Sequence, residues 1–249
     1  MFTGNPFARL ADLVPASFMR TYIVLMVVAV AIGTLFDAYH KGSARFFAQR
    51  RQKAAAAARK RLGGGDALAL AARTVAEAAV SGEFCKWKRR TSHLLMMYGF
   101  LCYVITTALM VFCYPQAATT PAILPALWTL GALMIVGGGA WFFFFLRVNV
   151  AYDGDSPFHV GRADLFILGL LTSALFALVW KFAQTTSNGA AVVFFWIYIF
   201  FTTLLFLSVP WSKFAHMFYK PVVAYQRRVE EESGTSDLPT PHQTSIGRS

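Results

Sequence analysis

The stretch AILPALWTLGALMIVGGGAWFFFFLRV, residues 122–148, carries no charged side chain before Arg147. A helix of about 20 apolar residues crosses a hydrocarbon core about 30 Å thick, so this segment is long enough to span a bilayer with some tilt. Its small residues Gly137, Gly138, Gly139 and Ala140 suit close backbone approach to a neighbouring helix inside a membrane. Working outward, four more segments meet the same test. They are residues 21–39, broken late by Asp37; 93–114, stopped by Pro115; 164–183; and 190–216, with Pro210 near the end. The expected fold is all-α: a polytopic membrane protein built as a bundle of five transmembrane helices.

Composition agrees. Of the 249 residues, 57% are hydrophobic and 14% charged, where a soluble domain carries about a quarter charged. The net charge of +11 lies between the apolar blocks rather than on one soluble domain, so it reads as a topology signal and not as a nucleic-acid surface. Cys85, Cys102 and Cys113 form no CxxC pair, which argues against a disulfide framework or an iron–sulfur site in this chain. Residues 1–20, with Pro6, Asp12 and Pro15 and no apolar core before Tyr22, read as an interfacial segment rather than a cleavable signal peptide. No internal repeat is visible, which speaks against an inverted-repeat transporter.

Orientation follows from Lys and Arg in the short loops. Residues 40–92 hold thirteen of them, while the opposite loops, 115–121 and 184–189, hold none. Lys213, Lys220, Arg227 and Arg228 lie at or beyond the end of the fifth span, whereas Arg9 and Arg20 fall on the other side and are outvoted. The amino terminus is therefore expected outside and the carboxyl terminus inside. The basic loop is Ala-rich and split by Gly63, Gly64 and Gly65, with helices expected over 45–62 and 66–80. Residues 217–249 form a cytoplasmic tail that is short on apolar residues from Glu230 onward and expected to be disordered from about there.

In lipid, ionisable side chains near helices are the place to look for function. Besides His242 in the tail, the histidines are His40, His93, His159 and His216, all on the predicted cytoplasmic side. His93 opens the second span and His216 closes the antiparallel fifth, so the two imidazoles are expected at similar depth. Two readings stand: interfacial histidines at membrane boundaries, or the axial pair of a haem b held between helices of a bundle.

The segment Ser212-Lys213-Phe214-Ala215-His216-Met217-Phe218-Tyr219-Lys220-Pro221 resembles the end of the last helix in the respiratory nitrate reductase gamma family. That wider family includes the membrane cytochromes b of heterodisulfide reductase and of the quinone-interacting oxidoreductase complex. The second-span block, Cys85-Lys86-Trp87-Lys88-Arg89-Arg90-Thr91-Ser92-His93-Leu94-Leu95-Met96-Met97-Tyr98-Gly99-Phe100, is similar to the membrane anchor of dissimilatory adenylylsulfate (APS) reductase. The resemblance covers residues 21–221. It implies five helices with an outward amino terminus and one haem b ligated by His93 and His216. It also implies quinone as the electron acceptor and a cytoplasmic iron–sulfur flavoprotein partner of the APS reductase kind, in a bacterial cytoplasmic membrane. The family's second, deeper haem is not implied, because Tyr103 and Tyr198 stand at those levels and do not ligate haem b.

His40, His159 and Arg147 remain as possible quinone or propionate contacts, against plain interfacial roles. Arg59, Lys60 and Arg61, a basic cluster in the loop, are candidates for docking an acidic partner. Asp37 reads as hydrated, and Lys181 as lying near the outer helix end. Trp87, Tyr98, Trp141, Trp180, Trp211 and Tyr219 read as interfacial aromatic belts. Two further functions stay open: a haem-free docking anchor, and a small transporter or channel. Topology is directly testable. A reporter active only outside the cytoplasm should be active when fused after Gln184 and silent after Gly64, and the reverse pattern would overturn the cytoplasmic assignment of the histidines.

Overall fold

The computed structural model describes residues 4–10, 14–40, 43–58, 63–80, 86–147, 164–209 and 216–235. It is helical, with no strand among these residues. Two compact units are distinguished: Met1–Leu35 with Phe84–Phe214, and Phe36–Glu83 with Ala215–Ser249. Five helices are long and apolar enough to cross a membrane, over Ser17–Asp37, Trp87–Cys113, Ile123–Leu146, Leu165–Ala183 and Gly189–Ser208. The protein is a multi-pass membrane protein.

The first unit contains α1 (Pro6–Leu10), α2 (Ala16–His40) through Leu35, α5 (Trp87–Ala108), α6 (Ile123–Trp141), α7 (Leu165–Ala183) and α8 (Asn188–Ser208). α5 and α6 are each prolonged by a π-helical turn, Leu109–Cys113 and Phe142–Leu146. The fifth span is described through Ser208, residues 210–215 lie outside the described residues, and His216 falls in α9 (His216–Ser233) of the second unit.

The α5–α6 contact is made by backbone. A Cβ on Gly131 would stand 2.8 Å from the Gly99 carbonyl oxygen and 2.9 Å from the Tyr103 nitrogen. Seven residues on, a Cβ on Gly138 would stand 2.9 Å from Leu95 Cβ and 3.0 Å from the Ser92 carbonyl oxygen. The Ser92 hydroxyl seals this contact by donating to the Gly138 carbonyl at 2.9 Å. Within the small-residue stretch the roles divide: Gly138 meets α5, Gly139 approaches Leu171 of α7, and a side chain at Gly137 would meet nothing.

The remaining helices close over an aromatic cluster. Trp128, Trp180 and Phe195 are fully buried, Tyr103 stacks on Trp128 with ring centroids 5.1 Å apart, and Tyr198 stacks on Trp180 at 5.6 Å. Trp180 is therefore core, not belt, whereas Trp87 and Tyr98 are exposed as belt residues are. α1 plugs the end of the bundle that carries the α5–α6 and α7–α8 loops. Phe7 packs on Trp128 and Trp180, buried Asn5 donates to the Tyr114 carbonyl and the Thr120 hydroxyl, and Gln184 donates to the Pro6 carbonyl. α2 is peripheral: only 11% of its spanning window is buried, against 44% for α7.

In the second unit, α3 (Ser43–Ala57), α4 (Gly64–Ala79) and α9 are described; α4 takes in Gly64 and Gly65, and α3 ends at Ala57, before the expected limit at residue 62. Two Arg–Glu pairs join them. Arg50 of α3 donates two hydrogen bonds, 2.8 and 2.7 Å, to Glu230 of α9, and Arg228 of α9 donates to Glu77 and Thr74 of α4. The chain is thus helical through Ser233, past the point where a disordered tail was expected, because the buried Glu230 carboxylate holds α3. Asp37, expected to be hydrated, is buried.

Two outcomes follow. Gly131→Ala should cost roughly 1–3 kcal/mol, because the neighbouring backbone cannot yield to an added methyl, while Gly137→Ala should stay within about 0.5 kcal/mol; thermal unfolding of the two variants checks this. In the second unit, hydrogen bonds from Arg50 hold the Glu230 carboxyl below its ordinary value of 4.5, outweighing burial, which acts the other way. That contribution is fully present above about pH 4.5 and is lost as pH falls through the lower folded-state value. Glu230→Gln should therefore lower amide protection in α9 at pH 7, by about 1 kcal/mol because Arg50 is half exposed. Rate-corrected hydrogen exchange should show variant and parent converging in acid.

Candidate functional site

The sequence candidates fall in separate places. His93 lies in the second turn of α5 and is half-buried. Its neighbour Ser92 faces α6, so the rotation of α5 is set, and residues 93, 97, 100, 104 and 107 share another face of the helix. Arg89, one turn before His93, donates to the Leu146 carbonyl at 3.2 Å. Arg147 follows the π-helical turn of α6, lies 4.4 Å over the Phe143 ring and pairs with Asp164 at the start of α7. Its charge is thereby committed, which weakens it as a propionate or quinone contact.

His40, the exposed last residue of α2, belongs to the second unit and stacks on Phe36 at 5.7 Å. His216 opens α9 in that same unit, and its side chain lies outside the described residues, as do His159, Arg59, Lys60 and Arg61. Among the described residues no group of three or more His, Cys, Asp and Glu could hold a metal ion. For haem b the donor chemistry is what can be tested. His93 offers a half-buried imidazole in a helix whose rotation is fixed, which fits one axial position. The first unit has no other described histidine, and His216 belongs to the second unit.

What sequence reasoning did not find is a cavity inside the first unit, about 120 Å³ in volume. Its walls include Tyr22 and Met26 of α2, Tyr103 and Thr107 of α5, Ser173 of α7 and Tyr198 of α8. Phe100 and Val104 also line it, so the α5 face that begins at His93 reaches the cavity about 10 Å further along the helix. It is below the roughly 300 Å³ of ordinary ligand pockets, and no histidine lines it; it is not a haem site.

The hydroxyls around it are mostly satisfied. Tyr22 pairs with Thr203 at 3.0 Å, Ser173 with Thr202 at 2.7 Å, and Thr107 donates to the Tyr103 carbonyl while accepting from Trp128 Nε1. Tyr103 is the exception. Its side chain is buried and its hydroxyl has no hydrogen-bond partner; the Tyr198 hydroxyl comes near enough to interact but does not close a bond within hydrogen-bond distance. An orphaned buried hydroxyl of this kind costs about 1–3 kcal/mol. The sequence offered one signal, a tyrosine on α5 and another on α8 at matching depth, but nothing in it marks a hydroxyl as unpartnered.

Lys181, in the last turn of α7, is also buried. It donates to the Thr129 hydroxyl at 2.6 Å and the Pro125 carbonyl at 3.2 Å, and lies 5.5 Å over the Trp128 ring, so it fastens α7 to α6. Comparison with known protein families, with curated proteins and with solved structures finds no match for this chain.

Proposed function

We propose that this protein is a haem b-binding membrane anchor that carries electrons from a cytoplasmic iron–sulfur flavoprotein to the quinone pool. The observation that carries the reading is His93: a half-buried imidazole on α5, on the helix face that leads into the interior cavity. His93 and His216 would hold the haem, which supplies reversible one-electron transfer when bound. The partner is of the APS reductase kind, working in the direction of sulfite oxidation, and the membrane is the bacterial cytoplasmic membrane with the amino terminus outside. These assignments rest on the sequence resemblance.

Exposed Arg51 and Lys53 on α3 suit docking of an acidic protein, a role shared with Arg59, Lys60 and Arg61. Arg50 takes no part, since its charge is spent on Glu230. A haem-free docking anchor is the second reading. It is favoured by the second unit being a helical piece held by its own ion pairs, which a tether needs and an electron carrier does not.

A reduced-minus-oxidised spectrum of the purified chain separates the two. The expected result is a single bis-imidazole haem b whose spectrum is lost or strongly altered by His93→Ala and by His216→Ala, and unchanged by His40→Ala. Haem that survives loss of both His93 and His216 would sink the cytochrome reading and leave the anchor.

A further inference from the structure

In the second unit, α4 has three faces rather than two. Successive side chains turn about 100° around a helix, so Leu70, Ala71 and Thr74 form its packed side, where buried Thr74 accepts from Arg228 Nη1 at 2.7 Å. The charged residues form a second strip, and each is engaged. Asp66 accepts from the Gly63 backbone N–H at 3.3 Å, and Glu77 is shared between Arg73 and Arg228. The third face holds Leu68, Ala69, Ala72, Val75 and Ala76 and carries no charge. It is open: Leu68 is 73% exposed and Val75 66%. The spacing of 68, 72 and 75, four residues and then three, puts the two larger side chains on one stripe.

An apolar stripe on a helix outside the spans marks an interaction surface, with protein or with lipid. Chain length selects lipid. α2 carries the chain out of its spanning window, which ends at Asp37, and itself ends at His40; α3 begins at Ser43. On the other side α4 is followed at once by Val80, and the next span opens at Trp87. The seven residue steps between them reach at most about 25 Å. The end of α4 is therefore tied within that distance of a bilayer surface, which is present at high effective concentration. A soluble protein or a second copy must arrive by diffusion. Charge agrees, since exposed Arg51 and Lys53 on α3 attract anionic head groups and the stripe has no acid to repel them. Val80 extends the exposed apolar character towards Trp87, itself exposed as interfacial aromatics are.

We propose that α4 lies on the bilayer surface, with Leu68, Ala72 and Val75 seated at the boundary between head groups and acyl chains, about 5–10 Å deep. Its partner is a lipid surface. This ties the second unit to the membrane by a contact of its own, beyond the covalent connections. The inference rests on neither haem nor electron transfer.

The test uses the full chain, its three cysteines replaced by serine, in nanodiscs of phosphatidylcholine and phosphatidylglycerol. A nitroxide is attached in turn at Leu68→Cys, Ala72→Cys and Val75→Cys and, on the charged strip, at Asp66→Cys and Arg73→Cys. Collision with oxygen, which concentrates in lipid, is compared with collision with a nickel chelate, which stays in water. The oxygen-to-nickel ratio at 68, 72 and 75 should exceed that at 66 and 73 several-fold. Leu68→Glu with Val75→Glu, read from the label at 72, should lower the seated population roughly a hundredfold, the worth of two buried apolar side chains. The ratio at 72 should then match that at 73. Both substitutions lie off the packed side of α4, so the helix should persist, and circular dichroism checks this. Should helix be lost, Leu68→Ser with Val75→Ser takes the place of that variant, with the same direction expected.

Equal ratios at all five positions would leave the stripe in water and overturn the proposal. Exclusion of both reagents from 68, 72 and 75 would overturn it too, because it means a protein cover; dipolar broadening between labels would then identify a second copy. A lipid-like ratio at 72 that survives the double substitution would assign the seating to something other than the stripe, with the same consequence.

Discussion

The first unit depends on the place where α5 and α6 meet backbone to backbone. Inside a membrane, apolar side chains gain little by leaving lipid for protein, so helices associate through packing and short-range polar contacts. Gly131 and Gly138, with Gly99 and Ser92 opposite, bring the two backbones so close that a single methyl at either α6 glycine would collide with main-chain atoms. This fixes more than a distance. It sets the rotation of α5, and with it the direction of every other side chain on that helix. The Tyr103 backbone lies against Gly131, and its ring lies flat against Trp128. A looser α5–α6 contact would let Tyr103 turn and find a partner.

The economy of polar groups shows the same constraint. Buried hydroxyls in the spans are quietened locally: Thr106, Thr107, Thr129, Thr172, Thr202 and Thr203 each bond a carbonyl one turn earlier. Such bonds need no tertiary partner and so survive small shifts in packing. Lys181 takes two tertiary acceptors on α6, the Thr129 hydroxyl and the Pro125 carbonyl, which Thr129 also bonds. Against this background the Tyr103 hydroxyl stands apart, because a phenol is too long and rigid to reach back to its own helix.

Charge organises the second unit. A count of basic residues treats all thirteen between 40 and 92 alike, yet Arg50 is bound bidentately to Glu230, while Glu77 is shared between Arg73 and Arg228. These pairs sit partly in water, so each contributes modestly. Their effect is chiefly to hold three helices of weak intrinsic hydrophobicity in one arrangement and to leave residues such as Arg51 and Lys53 facing outward.

The number of spans and their approximate limits were legible in the chain itself, because crossing a bilayer imposes a length and an apolar composition on each contiguous segment, and both are properties of consecutive residues. The presence of helices near the glycine run was legible because alanine-rich stretches are strong helix formers, although α4 takes in Gly64 and Gly65. What the apolar run from Ala190 to His216 did not show is that His216 falls in a different unit from α8. Nor could the sequence say which of Gly137, Gly138 and Gly139 meets α5, that Asn5 and Phe7 plug the bundle, that Glu230 is buried, or that Tyr103 is left without a partner. Each of these is settled by which residues from distant parts of the chain arrive at the same point, and close packing in three dimensions decides that where composition and periodicity do not.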